Sequence, residues 1–304
     1  LIERQQGNVR YLQFGHFQQF PELIHGSFTR LGGVSETPIE GLNVSVSSGD
    51  ALENVIRNRL LVLKSLQIEQ YPCATIWMVH GSNVAVLDGD GWDDWRNDWP
   101  YRSYDVDGEE LIWTSRPRRK ADAIITRKRG VTLAMSSADC VPILLYDPMQ
   151  RAIGLAHAGW RGTARGIAAI TINAMREQFD SRPEDIYAGI GPSIGPCCYE
   201  VSEDVRRLFY GEQDFDDMPI DERYRNLVRE SAVFFTKEYP AYSTLQLDLW
   251  ETNRKQLLLA GLLPEHIELP DVCTCCEKER FYSHRGEQGK AGRFPSVLAL
   301  RREE

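Results

Sequence analysis

The chain has 304 residues, 42% of them hydrophobic and 26% charged, and carries a formal net charge of −9 with a pI near 5.3. That is an ordinary globular composition. Its acidity argues against a nucleic-acid or anionic-membrane binder and leaves room for a local basic pocket around a small anion. No apolar run approaches the ~20 residues of a membrane span, and the opening Leu1-Ile2-Glu3-Arg4-Gln5-Gln6 lacks the apolar core of a signal peptide. Seven cysteines, an odd number, read as reduced thiols of a cytoplasmic protein more simply than as a disulfide framework. No repeat and no long linker divides the chain, so a single domain over 1–304 is expected, with one excursion at about 89–120.

In chain order, a strand at 23–29 leads into Thr29-Arg30-Leu31-Gly32-Gly33-Val34-Ser35. Paired glycines permit close backbone approach to a ligand. Arg30 beside them is either an anion clamp or a solvated turn residue. Asn43 either bonds a ligand or caps its own turn, and the turn is favoured. Leu52, Val55, Ile56, Leu60, Leu63 and Leu66 recur at helical spacing and predict a helix over 50–67 with Asp50 as N-cap. A strand at 75–79 breaks at His80-Gly81 and resumes at 84–87, as a hairpin or a bulge.

The 89–120 excursion carries Trp92, Trp95, Trp99, Tyr101, Tyr104 and Trp113 among acidic residues and ends in a basic cluster. It is expected to be partly irregular, with its aromatics packed on the body. Apolar runs at 123–126, 131–135, 143–146 and 152–155 predict strands of one well-buried sheet. A helix at 163–179 and a strand at 186–190 follow. Helices are expected at 203–210, 224–238 and 248–260, the last closed by Gly261, with final strands at 267–269 and 295–300.

Two metal-capable side chains flank this region: Cys140 precedes the run Val141-Pro142-Ile143-Leu144-Leu145-Tyr146, and His157 follows Ala152-Ile153-Gly154-Leu155-Ala156. With His80 they supply three ligands from strand ends, the number a catalytic zinc site uses while leaving a fourth position open. Copper accepts the same donors. The residues equally allow a Cys140 nucleophile with a histidine base and Asp139 as the orienting acid, or a buried thiol and a satisfied core histidine. Gly159-Trp160-Arg161-Gly162-Thr163 opens a helix, either as an anion site made by free N–H groups and Arg161 or as a tight strand–helix turn with Arg161 on the surface. Cys197-Cys198 and Cys273-Thr274-Cys275-Cys276 are read as buried thiols or pocket walls, not as a structural metal site.

These segments resemble the laccase-domain (YfiH-type) family, also called multicopper polyphenol oxidoreductases and regarded as purine nucleoside phosphorylases. The likeness is carried by His25-Gly26-Ser27-Phe28-Thr29-Arg30-Leu31-Gly32-Gly33, Val79-His80-Gly81, Ala138-Asp139-Cys140-Val141-Pro142 and His157-Ala158-Gly159-Trp160-Arg161-Gly162. It continues through Gly191-Pro192-Ser193-Ile194-Gly195-Pro196-Cys197-Cys198-Tyr199-Glu200-Val201 and Cys273-Thr274 to Arg293.

The resemblance implies an α/β (α+β-like) fold of mixed β-sheets packed together with outer helices. It also implies zinc at His80, Cys140 and His157, and phosphorolysis of adenosine, inosine and S-methyl-5'-thioadenosine, with an adenosine deaminase side activity. Partners would be nucleosides and phosphate, not nucleic acid or membrane. Cys140 and Asp139 are the catalytic candidates; Arg30, Asn43, Arg161 and Arg285 are the substrate or phosphate candidates. The chain departs from the family at Met78, where glutamine is usual, at Arg285-Gly286 and at Ala291-Gly292-Arg293. A copper-dependent polyphenol oxidase and a Cys140 hydrolase are the competing functions.

Overall fold

The computed structural model describes residues 1–87, 101–106, 108–114, 120–217 and 219–303. The first strands are β1 (Ile2–Gln6), β2 (Val9–Gln13), β3 (Leu23–Phe28), β4 (Cys73–Ala74) and β5 (Val84–Val86). Next come β6 (Tyr101–Val106), β7 (Glu109–Thr114), β8 (Ala123–Thr126), β9 (Thr132–Ser137), β10 (Val141–Asp147), β11 (Ala152–Ala158) and β12 (Tyr187–Ile190). The last are β13 (Phe234–Glu238), β14 (Ser243–Leu247), β15 (Ile267–Glu268) and β16 (Phe294–Leu300). Among the described residues they form an eight-stranded sheet, β1-β2-β3-β16-β9-β4-β7-β6, a six-stranded sheet, β15-β12-β10-β11-β8-β5, and the ribbon β13-β14.

Side-chain alternation explains the layering. Successive residues of a strand point to opposite faces. In β10, Leu144 and Tyr146 enter a core shared with Leu133 and Met135 of β9 and Leu298 and Leu300 of β16, which lies between the sheets. Ile143 and Leu145 face the other way, onto Ile167, Ile172 and Met175 of the helix Ile167–Phe179. The outer face of the larger sheet, with Phe28, Ala134 and Val297, packs on Leu60, Val62 and Leu63 of the helix Leu52–Ser65. The result is helix, sheet, sheet, helix. Strands buried on both faces read as continuous apolar runs, and truncating Leu144, fully buried, to alanine would cost about 2–5 kcal/mol.

Several expectations are revised. Residues 75–79 make no regular strand: one bridge joins Trp77 to Lys120. β4 and β5 belong to different sheets, so the His80 segment is neither hairpin nor bulge but the passage between layers. Likewise β9 leaves the sheet of β8, β10 and β11. Asp50 does not cap the helix Leu52–Ser65; its carboxylate instead accepts from Ser35 Oγ and Asn43 Nδ2.

The helix expected at 163–179 is broken by Gly166, whose φ of +82° is left-handed, into the single turn Trp160–Thr163 and the helix Ile167–Phe179. The one expected at 224–238 stops at Ser231, and β13 follows. In the excursion, β6 and β7 form an antiparallel hairpin at the edge of the larger sheet, with Trp113 buried. Trp92, Trp95, Trp99 and the basic residues at 116–119 lie outside the described residues.

Candidate metal centre

Cys140 lies just before β10 and His157 near the end of β11. The antiparallel register pairs Val141 with Ala158 and Pro142 with His157, which brings the two side chains to one corner. His80 arrives from the inter-sheet passage, with a left-handed φ of +57°. The ligating atoms of His80, Cys140 and His157 lie within 4.8 Å of one another.

Gly159 supplies the remaining space. A Cβ there would stand 3.0 Å from Cys140 Sγ and 3.2 Å from His80 Nδ1, so any side chain would crowd the ligands.

Asp122, fully buried, organises this corner. Its Oδ1 accepts from His157 Nδ1 at 3.0 Å and from the His80 backbone N–H at 2.9 Å. Its Oδ2 accepts from the N–H groups of Gly81 at 2.7 Å and Val79 at 3.2 Å. With Nδ1 donating, His157 is left with Nε2 as its ligating atom. Arg165, also buried, donates to the His80 carbonyl at 2.9 Å and to Asp217 at 3.0 Å.

Electrostatics favour the ligating form of the thiol. Burial alone would raise the Cys140 pKa, but the charge and hydrogen bonds of His157 and His80 outweigh it and hold the thiol below its ordinary value. Burial would lower His157, and Cys140 and Asp122 raise it instead. Thiolate sulfur and imidazole nitrogen are the donors zinc and copper take, so the residues fit a metal ion.

The centre opens onto a cavity of ≈ 440 Å³ lined also by Ser136, Asp139, Trp160, Arg161, Tyr199, His284, Arg285 and Arg293. That size suits a small-molecule site.

The family model for multi-copper polyphenol oxidoreductase laccase matches residues 24–301. The chain belongs to this family. It is 34% identical over 286 residues to purine nucleoside phosphorylase YlmD of Geobacillus stearothermophilus, covering 93% of this chain and 92% of that protein. It is 31% identical over 295 residues to a purine nucleoside phosphorylase of Bacteroides thetaiotaomicron, covering 96% of each. The crystal structure of YlmD from Geobacillus stearothermophilus superposes with a TM-score of 0.76 at 31% identity, covering 99% of both chains.

In this laccase-family chain the remaining candidates divide by position. Arg161 and Arg285 line the cavity with the metal-capable group; Arg30 and Asn43 do not. Arg30 pairs with Glu287 at 3.0 Å and stacks on Tyr282. Glu287 in turn accepts from the Ser283 N–H, so Arg30 braces the turn that carries His284 and Arg285. Asn43 is buried, and its Oδ1 accepts from the backbone N–H of Arg293.

Both oxygens of Asp139 are engaged. Oδ1 accepts from Thr274 Oγ1 at 2.7 Å and Oδ2 from the Arg285 N–H at 2.6 Å, so this carboxylate ties the C-terminal segment to the metal-side wall. The turn Trp160–Thr163 is too short to act as a helix N-terminus for an anion.

Sequence reasoning missed Asp122 and Arg165, and it did not assign Arg293 to the pocket. The only signal for Asp122 was an acid inside an apolar stretch, Ala121-Asp122-Ala123-Ile124.

The cavity cations Arg161, Arg285 and Arg293, with Arg165 behind them, differ in their partners. Arg161 and Arg165 share the carboxylate of Asp217. Arg285 is held by carbonyl oxygens of Cys198 and Glu200, and Arg293 by those of Ala291 and Gly292. Carbonyls fix a guanidinium without cancelling its charge. Among the described residues no carboxylate pairs with either.

Proposed function

We propose that the chain is a zinc-dependent purine nucleoside phosphorylase. It would act on adenosine, inosine and S-methyl-5'-thioadenosine, giving free base and the ribose 1-phosphate, with adenosine deamination as a side activity. The observation that carries this reading is one cavity lined both by a Cys/His/His donor group and by two guanidiniums that, among the described residues, pair with no carboxylate. The relatives' names as purine nucleoside phosphorylases support it.

In phosphorolysis a phosphate oxygen bonds to the anomeric carbon as the carbon–nitrogen bond to the purine breaks. The bonding pair leaves with the base, which takes up a proton. Arg285 and Arg293 bind and orient the phosphate, adding charge-assisted hydrogen bonds, and Arg161 adds a third cation to the cavity lining. Holding both reactants in register supplies much of the acceleration.

His80, Cys140 and His157 would hold the metal. When bound, zinc supplies a Lewis acid with an open position and a lowered water pKa, which also suits deamination. Asp122 keeps His157 in its ligating tautomer. Asp139, Asn43 and Arg30 are positioning residues for the C-terminal wall. The chain acts as one unit, in a reducing compartment such as the cytoplasm. Among the described residues no disulfide joins any of the cysteines, and no helix is long and apolar enough to cross a membrane.

Incubation with adenosine, with and without phosphate, tests the proposal. Phosphate-dependent adenine release is expected, and inosine formed without phosphate marks the side activity. Metal-loaded protein that does neither, yet oxidises phenols with copper, would overturn it.

A further inference from the structure

Outside the cavity, the sulfurs of Cys197, Cys198, Cys273 and Cys276 form a second group whose ligating atoms all lie within 4.8 Å of one another. The sequence reads these as buried thiols or pocket walls, and none of the four is among the residues that line the cavity. Cys197 and Cys276 are exposed, Cys198 is half-buried and Cys273 is buried. Cys276 Sγ stands 3.5 Å from Cys197 Sγ and 3.4 Å from Cys198 Sγ. Four sulfurs around a tetrahedral zinc, with Zn–S near 2.3 Å, are separated by about 3.8 Å, within the spread seen here.

Two turns build the cluster. Cys198 N–H donates to the Gly195 carbonyl at 3.0 Å, and that turn aims both vicinal thiols at Cys276. Glu277 N–H donates to the Cys273 carbonyl at 3.0 Å, closing the Cys273-x-x-Cys276 turn. A parallel bridge between Ser193 and Cys273 locks the turns side by side.

The surroundings suit thiolates. The Gly195 N–H donates to Cys273 Sγ at 3.1 Å. Lys237 Nζ bonds the Cys197 carbonyl and Arg285 that of Cys198, placing two cations beside the sulfurs. Gly195 itself is obligatory, since a Cβ would meet Trp250 at 2.9 Å and Cys273 Cβ at 3.0 Å.

We propose that Cys197, Cys198, Cys273 and Cys276 form a tetrathiolate zinc site that clamps the 191–201 loop to the C-terminal segment carrying His284 and Arg285. Each thiol gives up its proton and donates a sulfur lone pair to the cation, and no electron changes owner. With four protein ligands the site has no open position and is structural. It does not depend on the phosphorylase reading. It lies behind the cavity wall: Thr274, between the ligands, holds Asp139, and Arg285 hangs on the carbonyl of Cys198.

The test is metal content per chain of the full-length protein expressed with zinc. Two equivalents are expected from the two donor groups. Cys276→Ser should remove one and leave the other bound, while Cys140→Ala should remove the other and leave the cysteine-bound one. Cobalt-substituted Cys140→Ala protein should show the intense visible and sulfur-to-cobalt charge-transfer bands of a tetrahedral tetrathiolate. Should Cys276→Ser prove insoluble, the cobalt spectrum of Cys140→Ala decides. Zinc content unchanged by Cys276→Ser, Cys140→Ala protein without metal, or disulfides among these four cysteines in the non-reduced intact mass would each overturn the assignment.

Discussion

The two donor groups of this molecule are built to opposite plans. His80, Cys140 and His157 are unlike ligands gathered at a sheet corner, organised by one buried carboxylate and opening onto a cavity lined by cations. The four cysteines are like ligands on two facing turns, held by N–H groups and nearby cations, and they enclose their centre. Three mixed donors with an open side suit chemistry; four sulfurs suit a staple. Position in the fold thus separates the two roles before any activity is measured.

The largest expected effect is at the open group. Cys140→Ala should abolish phosphorolysis with loss of one zinc equivalent, read by adenine release and elemental analysis together. Full zinc retention with no turnover would favour Cys140 as a nucleophile. Asp122→Asn should next lower metal affinity or activity by roughly 10- to 100-fold, because the histidine loses its orienting carboxylate. A change of less than twofold would mean that backbone contacts alone hold His80 and His157.

Arg293→Ala removes a charge-assisted contact of about 1.5–3 kcal/mol and should raise the KM for phosphate roughly 10- to 100-fold, with a smaller change in kcat. Arg30→Ala, outside the cavity, should move the same KM much less. Equal effects would erase the distinction between carbonyl-held and carboxylate-paired arginines.

One further prediction concerns neither group and so serves as their control. His25 is buried, its Nε2 accepts from the Phe14 N–H at 2.9 Å, and burial lowers its pKa to about 3 from 6.5. Its neutral form belongs to the fold. The stability this contributes is present above pH 6.5 and is lost as pH falls from 6.5 toward 3, where the unfolded chain takes up the proton first. The thermal midpoint of the metal-free protein should fall over that window, and His25→Gln should flatten the slope. An unchanged slope would count against the His25 assignment.

Much of the layered core was legible in the sequence because β8, β10, β11 and β16 are buried on both faces and leave unbroken apolar runs. The triad was legible as side chains at the ends of such runs, once motif order joined His80 to the other two. What was hidden depends on contacts across long separations. No local pattern reports that β4 and β5 sit in different sheets, or that Asp122 reaches three successive N–H groups at Val79, His80 and Gly81. The convergence of the cysteines was hidden because adjacent side chains do not easily point at one ion; the Gly195–Cys198 turn nevertheless brings both Cys197 and Cys198 against Cys276. At 224–238 helical spacing was carried too far, although Val233-Phe234-Phe235-Thr236 has the aromatic and β-branched character of a strand.

The passage of the chain through His80 has a thermodynamic consequence. Its flanking strands belong to separate layers, so an ion shared by His80, Cys140 and His157 fastens the passage to the corner of the smaller sheet. By mass action, a ligand bound only by the folded state adds about 2.7 kcal/mol at one hundred times its Kd. Chelation should therefore loosen first the 75–83 backbone, seen as faster amide exchange at Val79, His80 and Gly81, while the inter-sheet core around Leu144 keeps its protection.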